Sequence, residues 1–285
     1  MTKVAVVTDS TAYIPPELSK DLLVRVVPLQ VIWGEQTFRD NVDITPDDFY
    51  TRLKTAKVMP TTSQPSPGAF QVVYQELIEA GYDILSVHIS GKLSGTLDSA
   101  AQARATFPGA NIELVDSATT SLAMGFPVLA ALRAAQQGAS LQECKNLAEQ
   151  GVKNSGILFA VNTLEFLRRG GRIGGAQAFL GTALNLKPIL EIRGGRIEAV
   201  ERVRTMNKAL DRLMDLFEER IAGRTPVHIA CVHAQAEAEA CLLLERVAQR
   251  FGPAVVMETL VAPVSPVLGT HTGPGCMGLA FMAGM

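Results

Sequence analysis

The segment His88-Ile-Ser-Gly-Lys-Leu-Ser-Gly-Thr-Leu-Asp-Ser99 gathers the hydroxyls of Ser90, Ser94 and Thr96 around Gly91 and Gly95. No Asp or Glu lies between His88 and Leu97, so nothing there repels an anion. Backbone N–H groups at a helix start, with the Ser94 and Thr96 hydroxyls, suit an anionic oxygen. Ser and Gly are equally common in helix-capping loops that bind nothing, and this segment alone fits both readings. A second hydroxyl group, Thr61-Thr62-Ser63 with Gln64, lies in Met59–Gly68. There Pro60, Pro65 and Pro67 should hold the backbone out of helix and sheet, giving a stiff loop that presents donors at little entropy cost. His271 stands among glycines in the tail Val267–Gly278, which reads as a loop that can approach a ligand closely.

No catalytic constellation accompanies these donors. Gly91-Lys-Leu-Ser94-Gly95 resembles a nucleophile elbow, but its first glycine is one residue too far away. The histidines lack metal-ligand spacing, and the cysteines and acids form no cluster with them. Leu167-Arg-Arg-Gly-Gly-Arg-Ile-Gly-Gly175 is not a phosphate-binding P-loop, because no Gly-Lys-Ser/Thr ends it. What is left is a set of neutral donors, one late histidine and many apolar residues without a catalytic task. That inventory suits a protein that binds an amphiphile with an acidic head.

Positioning these residues requires strands that end in loops. Lys3–Val7 and Asp83–Val87 read as buried parallel strands, and Ile112–Val115 as a third. Thr8-Asp9-Ser10 and Asp116-Ser117 then lie at one sheet edge, their aspartates capping the helices that follow. In an open α/β sheet that carboxyl edge is where ligands bind. Val24–Ile32 is an apolar run interrupted by Pro28, and Trp33–Asp43 reads as a polar loop. Helices are expected from Pro15-Pro16, from Thr45 to Lys57, from Gly68 to Ala80, from Ser99 to Thr106, from Ser121 to Gln137 and from the capping box Ser140–Glu143 to Asn154. A second unit begins near Ser155. It should hold the strand Gly156–Val161, a short helix from Asn162, a helix over Ala176–Leu184 and a hairpin about Gly194-Gly195. Helix Thr205–Ile221, strand Val227–Val232, helix Glu237–Phe251 and strand Ala254–Val261 complete it.

Composition agrees with a full core: 285 residues, 47% hydrophobic, 19% charged. A net charge of −2 with dispersed basic residues argues against nucleic acid as partner. Cys144, Cys231, Cys241 and Cys276 show no CxxC spacing and read as buried thiols of a reducing cytosol. Met1-Thr-Lys-Val runs straight into a strand, so no signal peptide and a cytoplasmic location are expected. Leu122–Leu132 is too short to cross a bilayer.

Six collinear segments spanning nearly the whole chain carry a resemblance. They are Val7-Thr-Asp-Ser10, Thr62-Ser-Gln-Pro-Ser66, Lys92-Leu-Ser-Gly-Thr96, Val115-Asp-Ser117, Leu167–Ile173 and Thr270-His-Thr-Gly-Pro-Gly275. Together they are similar to the DegV family of bacterial fatty-acid-binding proteins, which includes the FakB subunits of fatty acid kinase. The resemblance implies a two-domain α/β fold: a parallel, Rossmann-like sheet over residues 1–155, and a mixed-sheet α/β domain over 156–285. It implies a long-chain fatty acid such as palmitate, stearate or oleate as ligand, with no catalytic residue, metal or cofactor of the chain's own. Its carboxylate would meet the loops carrying Thr62, Ser63, Ser94, Gly95 and Thr96, with His271 nearby. It further implies a separate kinase subunit that converts the bound acid to acyl phosphate for phospholipid synthesis. Arg169, Arg172 and Arg204 are expected to dock that partner rather than hold the acid. Two other readings stand beside this one. One is a phosphotransferase or acyl-transfer enzyme using Ser94 or His271. The other is a nucleotide-binding regulator, which would need a glycine fingerprint where Thr8-Asp9-Ser10-Thr11 stands.

Overall fold

The structure is a computed structural model that describes residues 3–181 and 186–285. In chain order it runs β1 (Lys3–Asp9), a 3-10 turn (Ser10–Ala12), α1 (Pro16–Ser19), β2 (Val24–Val27), β3 (Gln30–Trp33) and β4 (Gln36–Arg39). There follow α2 (Pro46–Thr55), β5 (Thr61–Ser63), α3 (Pro67–Glu79), β6 (Tyr82–His88), α4 (Thr96–Arg104), β7 (Ile112–Asp116), α5 (Leu122–Gln136) and α6 (Leu141–Asn154). The remainder is β8 (Ser155–Ala160), α7 (Glu165–Arg169), a 3-10 turn (Gly174–Phe179), β9 (Lys187–Arg193), β10 (Arg196–Val203) and α8 (Met206–Ile221). It closes with β11 (Val227–His233), α9 (Glu237–Phe251), β12 (Val256–Pro263), α10 (Pro266–Thr272) and β13 (Met277–Ala283).

Helix starts follow local chemistry. The Thr45, Ser66, Ser140, Thr205 and Ser265 hydroxyls each accept an N–H two or three residues on, and Glu143 returns the bond to Ser140. Proline opens α2, α3 and α10. The strands form three sheets: a four-stranded parallel sheet ordered β2-β1-β6-β7, a six-stranded mixed sheet ordered β10-β9-β8-β13-β11-β12, and a small antiparallel sheet ordered β4-β3-β5. Helices α3 and α4 cover one face of the parallel sheet and α5 and α6 the other. The α5 helix also packs on β8, β11 and β13, so it is shared between the two large sheets. Helices α8 and α9 close the far face of the mixed sheet. The largest core cluster runs from the small sheet and α2 across α5 to the inner face of the mixed sheet. Among the described residues no helix is long and apolar enough to cross a membrane.

Several expectations change. The run Val24–Ile32 becomes two strands in different sheets, with Pro28 between them. Trp33–Asp43 is not a loop: β3 and β4 form a hairpin, pairing Trp33 with Gln36. Thr61–Ser63, expected outside any sheet, pairs with Ile32, Val31 and Gln30 as an edge strand. Its flanking prolines lie outside the paired residues, so no ladder bond is lost. The helix over Ala176–Leu184 is a 3-10 turn ending at Phe179, and residues 182–184 lie outside the described residues. The tail is no loop: His271 rides on α10, and β13 follows as a central strand with all seven residues buried. Cys241 is exposed on α9, while the other three cysteines are buried.

Asp40, just beyond β4, ties the small sheet to α10. One carboxylate oxygen accepts the Val267 N–H at 3.0 Å, and among the described residues the other meets no donor at hydrogen-bonding geometry. Burial pushes this carboxyl up from 3.8 to about 6, against the opposing pull of the nearby Ser10 and Ser265 side chains and the Val267 N–H, and the Asp9 charge adds to the rise. A carboxyl raised in the folded state favours folding when protonated. Its contribution is therefore complete below pH 3.8 and is lost as the pH rises through about 6. The two-unit shift corresponds to about 3 kcal/mol. Between pH 4 and 7 the wild type is expected to lose stability, relative to Asp40→Asn, by roughly that amount or less. Parallel urea-unfolding profiles of the two proteins across this range would rule this out.

Candidate functional site

The hydroxyl loops meet in one cavity. Its far wall is the inner face of the mixed sheet, with Ile157 and Phe159 of β8, Ile192 of β9, Ile197 of β10 and Val232 of β11. Opposite stand β5, the loop after β6, and α10. The empty space, counted out to the mouth, is about 820 Å³. The walls are mainly apolar, and among the described residues no Asp or Glu lines them.

The polar end is built from separate elements. Side chains alternate along β5, so Thr61 faces solvent while Thr62 turns inward. Ser94 closes the turn after β6, where the Leu93 and Ser94 N–H groups both return to the Ser90 carbonyl. Its hydroxyl lies 2.8 Å from that of Thr96 and accepts the Thr96 N–H. His271 reaches from α10, its Nε2 2.8 Å from the Thr62 hydroxyl. Nδ1 of the same ring is buried and has no partner among the described residues. Burial, reinforced by the nearby Arg172 guanidinium, drives the His271 pKa down to about 4. The ring is therefore neutral at pH 7. Arg172 donates from Nε to the Leu93 carbonyl at 3.1 Å and from Nη1 to the Gly170 carbonyl at 2.7 Å, which fixes it on the cavity wall.

The glycines near His271 serve packing. Gly269 faces the Tyr50 and Phe49 rings of α2, and an added Cβ would lie 2.9 Å from Phe49 Cε1. Gly273 combines φ +74° with the Phe166 ring against it, and it ends α10. So α10 lies close on α2 and α7 because residues 269 and 273 lack side chains.

The model of an uncharacterised-protein family, DegV, matches residues 3–284. The chain belongs to the DegV family. A DegV domain-containing protein of Streptomyces coelicolor is 40% identical over 277 residues, covering 97% of each chain. Among solved structures, a fatty-acid-binding DegV family protein from Thermus thermophilus superposes with a TM-score of 0.92 at 40% identity, over 99% of each chain. DegV of Bacillus subtilis, a fatty acid binding protein, superposes at 0.89 with 36% identity, over 99% of this chain and 100% of that one.

Within this DegV fold, Thr62, Ser63, Ser94 and His271 share the cavity. Gly95 and Thr96 do not line it. Thr96 is fully buried at the start of α4, and Gly95 lies against the Gln64 amide. Arg172, expected in an exposed docking loop, lines the cavity instead. Arg169 pairs with Glu165 and lines a second depression. Arg204 is exposed beyond β10 and lines neither cavity. The depression lies back to back with the cavity: Thr62, Arg172 and His271 belong to both walls.

Sequence reading missed a buried chain of polar groups. The Ser86 hydroxyl lies 2.7 Å from His88 Nε2, His88 Nδ1 lies 3.1 Å from Asp9, and the Tyr74 hydroxyl meets Ser86 at 2.8 Å. The residue types are those of a hydrolase triad, yet Ser86, His88 and Asp9 are fully buried, so no substrate reaches the serine. Its work is positional. Asp9 accepts the Thr11 N–H in its own turn, as expected of a cap, and also the Ile89 N–H, which sets where β6 enters the Ser94 loop. The alternation Ser86-Val-His88 on a buried strand was the available signal. Among the described residues the Ser94 hydroxyl is hydrogen-bonded to Thr96 and to no base. Among the described residues no group of three or more His, Cys, Asp or Glu could hold a metal.

Proposed function

We propose that this chain binds a long-chain fatty acid such as palmitate, stearate or oleate, tail in the cavity and carboxylate at Thr62, Ser63 and Ser94. One observation carries this reading: an apolar cavity whose described lining holds no acid and whose polar groups include the Thr62 and Ser94 hydroxyls, a neutral histidine and a guanidinium. A buried carboxylate is expensive unless hydrogen-bonded, and neutral donors bind it without forming a buried ion pair. About fourteen buried methylenes at ~0.8 kcal/mol each contribute at most roughly 11 kcal/mol, offset by ordering costs. The tail therefore supplies affinity and the hydroxyls supply orientation. Fatty acid binding by the relatives from Thermus thermophilus and Bacillus subtilis supports the reading.

The same geometry supports presentation to a separate kinase. A head group at Thr62 and His271 lies one side chain from the depression where Arg169 and Arg172 converge. There a partner holding ATP can bring its γ-phosphate to the carboxylate; the carboxylate oxygen attacks phosphorus, ADP leaves, and acyl phosphate forms. Native mass spectrometry of protein purified from cells tests the first step, and a lipid-free spectrum counts against it. For the second, Arg169→Ala and Arg204→Ala are expected to keep bound lipid but lower acyl phosphate formation with a kinase subunit at least tenfold. Arg172→Ala should weaken both lipid retention and turnover. Full turnover in all three variants would remove the arginines from docking. Acyl phosphate made from ATP and oleate by this chain alone would make it the enzyme.

A further inference from the structure

The cavity has a second polar station. Thr120 and Ser121 line it where the loop after β7 turns into α5. Thr120 is 7% exposed, and its buried hydroxyl has no hydrogen-bond partner among the described residues. The first N–H groups of a helix have no partner within it. In α5 the N-cap residue, Ser121, makes no side-chain capping bond. The Ser121 carbonyl already accepts from Met124 and Gly125. Thr120 and Ser121 thus bring to a mainly apolar stretch of wall a hydroxyl without a partner among the described residues and a helix start that Ser121 does not cap, an arrangement that costs stability unless an oxygen arrives to meet it.

We propose that this station receives an oxygen substituent on the acyl chain, so that the cavity prefers a hydroxylated fatty acid over its saturated parent. The proposal rests on the fatty-acid reading above. A chain hydroxyl can accept from the helix start and exchange a hydrogen bond with Thr120. A carboxylate suits the station less well: the nearest ionisable side chain along this loop is the acid Asp116, which holds the Ala118 N–H and contacts the Gly91 N–H. Arg172 is fixed instead between Leu93 and Gly170, near His271. Thr120 and Ser121 stand on a different loop from Thr62 and Ser94, one whose Thr119 carbonyl accepts the Ser90 N–H at 2.9 Å, so the substituent has its own anchor beside the head-group turn.

The test is competition binding to delipidated full-length protein, using stearic acid and hydroxystearic acids substituted at successive positions along the chain. At least one isomer is expected to bind about three- to tenfold tighter than stearate, the range of one net hydrogen bond. Thr120→Val, which keeps the shape and removes the hydroxyl, should erase that preference and leave stearate binding equal or tighter. Thr120→Ser should retain the preference. Isomers that all bind no better than stearate would overturn the proposal, since water then satisfies Thr120. A preference that survives in Thr120→Val overturns it too, as does loss of stearate affinity in that variant, which would place Thr120 on the carboxylate. If wild-type protein binds neither stearate nor any isomer, the fatty-acid reading itself fails and takes this proposal with it.

Discussion

Replacing Thr62 and Ser94 together by alanine is expected to strip the protein of bound fatty acid while leaving its fold intact. Both hydroxyls line the cavity, on different elements; alanine removes the Thr62 bond to His271 and the Ser94 bonds to Thr96 but takes no residue out of the apolar core. A hydrogen bond to a charged group contributes about 1.5–3 kcal/mol. Losing two such bonds from a buried carboxylate weakens binding by roughly a hundredfold to ten-thousandfold. Each single variant should fall between the double variant and wild type. Lipid extraction gives the occupancy, and circular dichroism with a thermal melt checks the fold. Wild-type lipid content in the double variant would reject the head-group assignment.

The second large effect comes from a glycine that touches no ligand. A Cβ on Gly170 would run into His271 Nδ1 and lie 2.7 Å from Cε1 of the same ring. The residue is half-buried, with Nδ1 enclosed and Nε2 hydrogen-bonded to Thr62, so the ring does not swing freely into solvent. Gly170→Ala is therefore expected to cost about 1–3 kcal/mol of stability, as overpacking does, and to lower fatty acid affinity by displacing both His271 and the Thr62 hydroxyl. His271→Ala removes the obstacle. In that background Gly170→Ala should be nearly neutral, so the pair shows strong coupling in a double-mutant cycle. His271→Ala alone should weaken fatty acid binding about tenfold by freeing the Thr62 hydroxyl. Because the ring's pKa lies near 4, that loss should be the same at pH 6 and pH 8. Additive stability losses for Gly170→Ala and His271→Ala would disprove the contact. A binding loss that appears only below pH 6.5 would mean the imidazolium is the working form.

Much of this architecture was legible because it is local. Hydroxyl caps and first-turn prolines marked α2, α3 and α6 to within a residue or two, since capping is settled by side chains three residues apart. The β9–β10 hairpin was visible in Gly194-Gly195, whose positive φ angles only glycine adopts readily. Seven buried residues in β13 were also present in the sequence as the apolar run Met277–Ala283. Its neighbours Gly273 and Gly275 drew the reading toward a loop. Those glycines instead let α10 and the following turn lie against Phe166 and Asn162. A close approach between distant segments leaves no mark on either segment alone.

The sequence by itself determined the family, the parallel strands, the caps and the residue types at the head-group loops: neutral donors with no acid beside them. Tertiary structure alone decided which of those donors converge. Thr62 points inward because β5 pairs with β3 and alternation turns every second side chain to one face. Ser94 is aimed by a turn that Asp9, eighty residues earlier in the chain than Ile89, holds in place. His271 reaches Thr62 across 209 residues because α10 lies close on α2 and α7. Arg172 lies on the cavity wall because its donors find the Leu93 and Gly170 carbonyls there. Periodicity and capping act over a few residues and are written in order along the chain. Packing joins residues that composition cannot pair, and it is packing that makes scattered hydroxyls into one site.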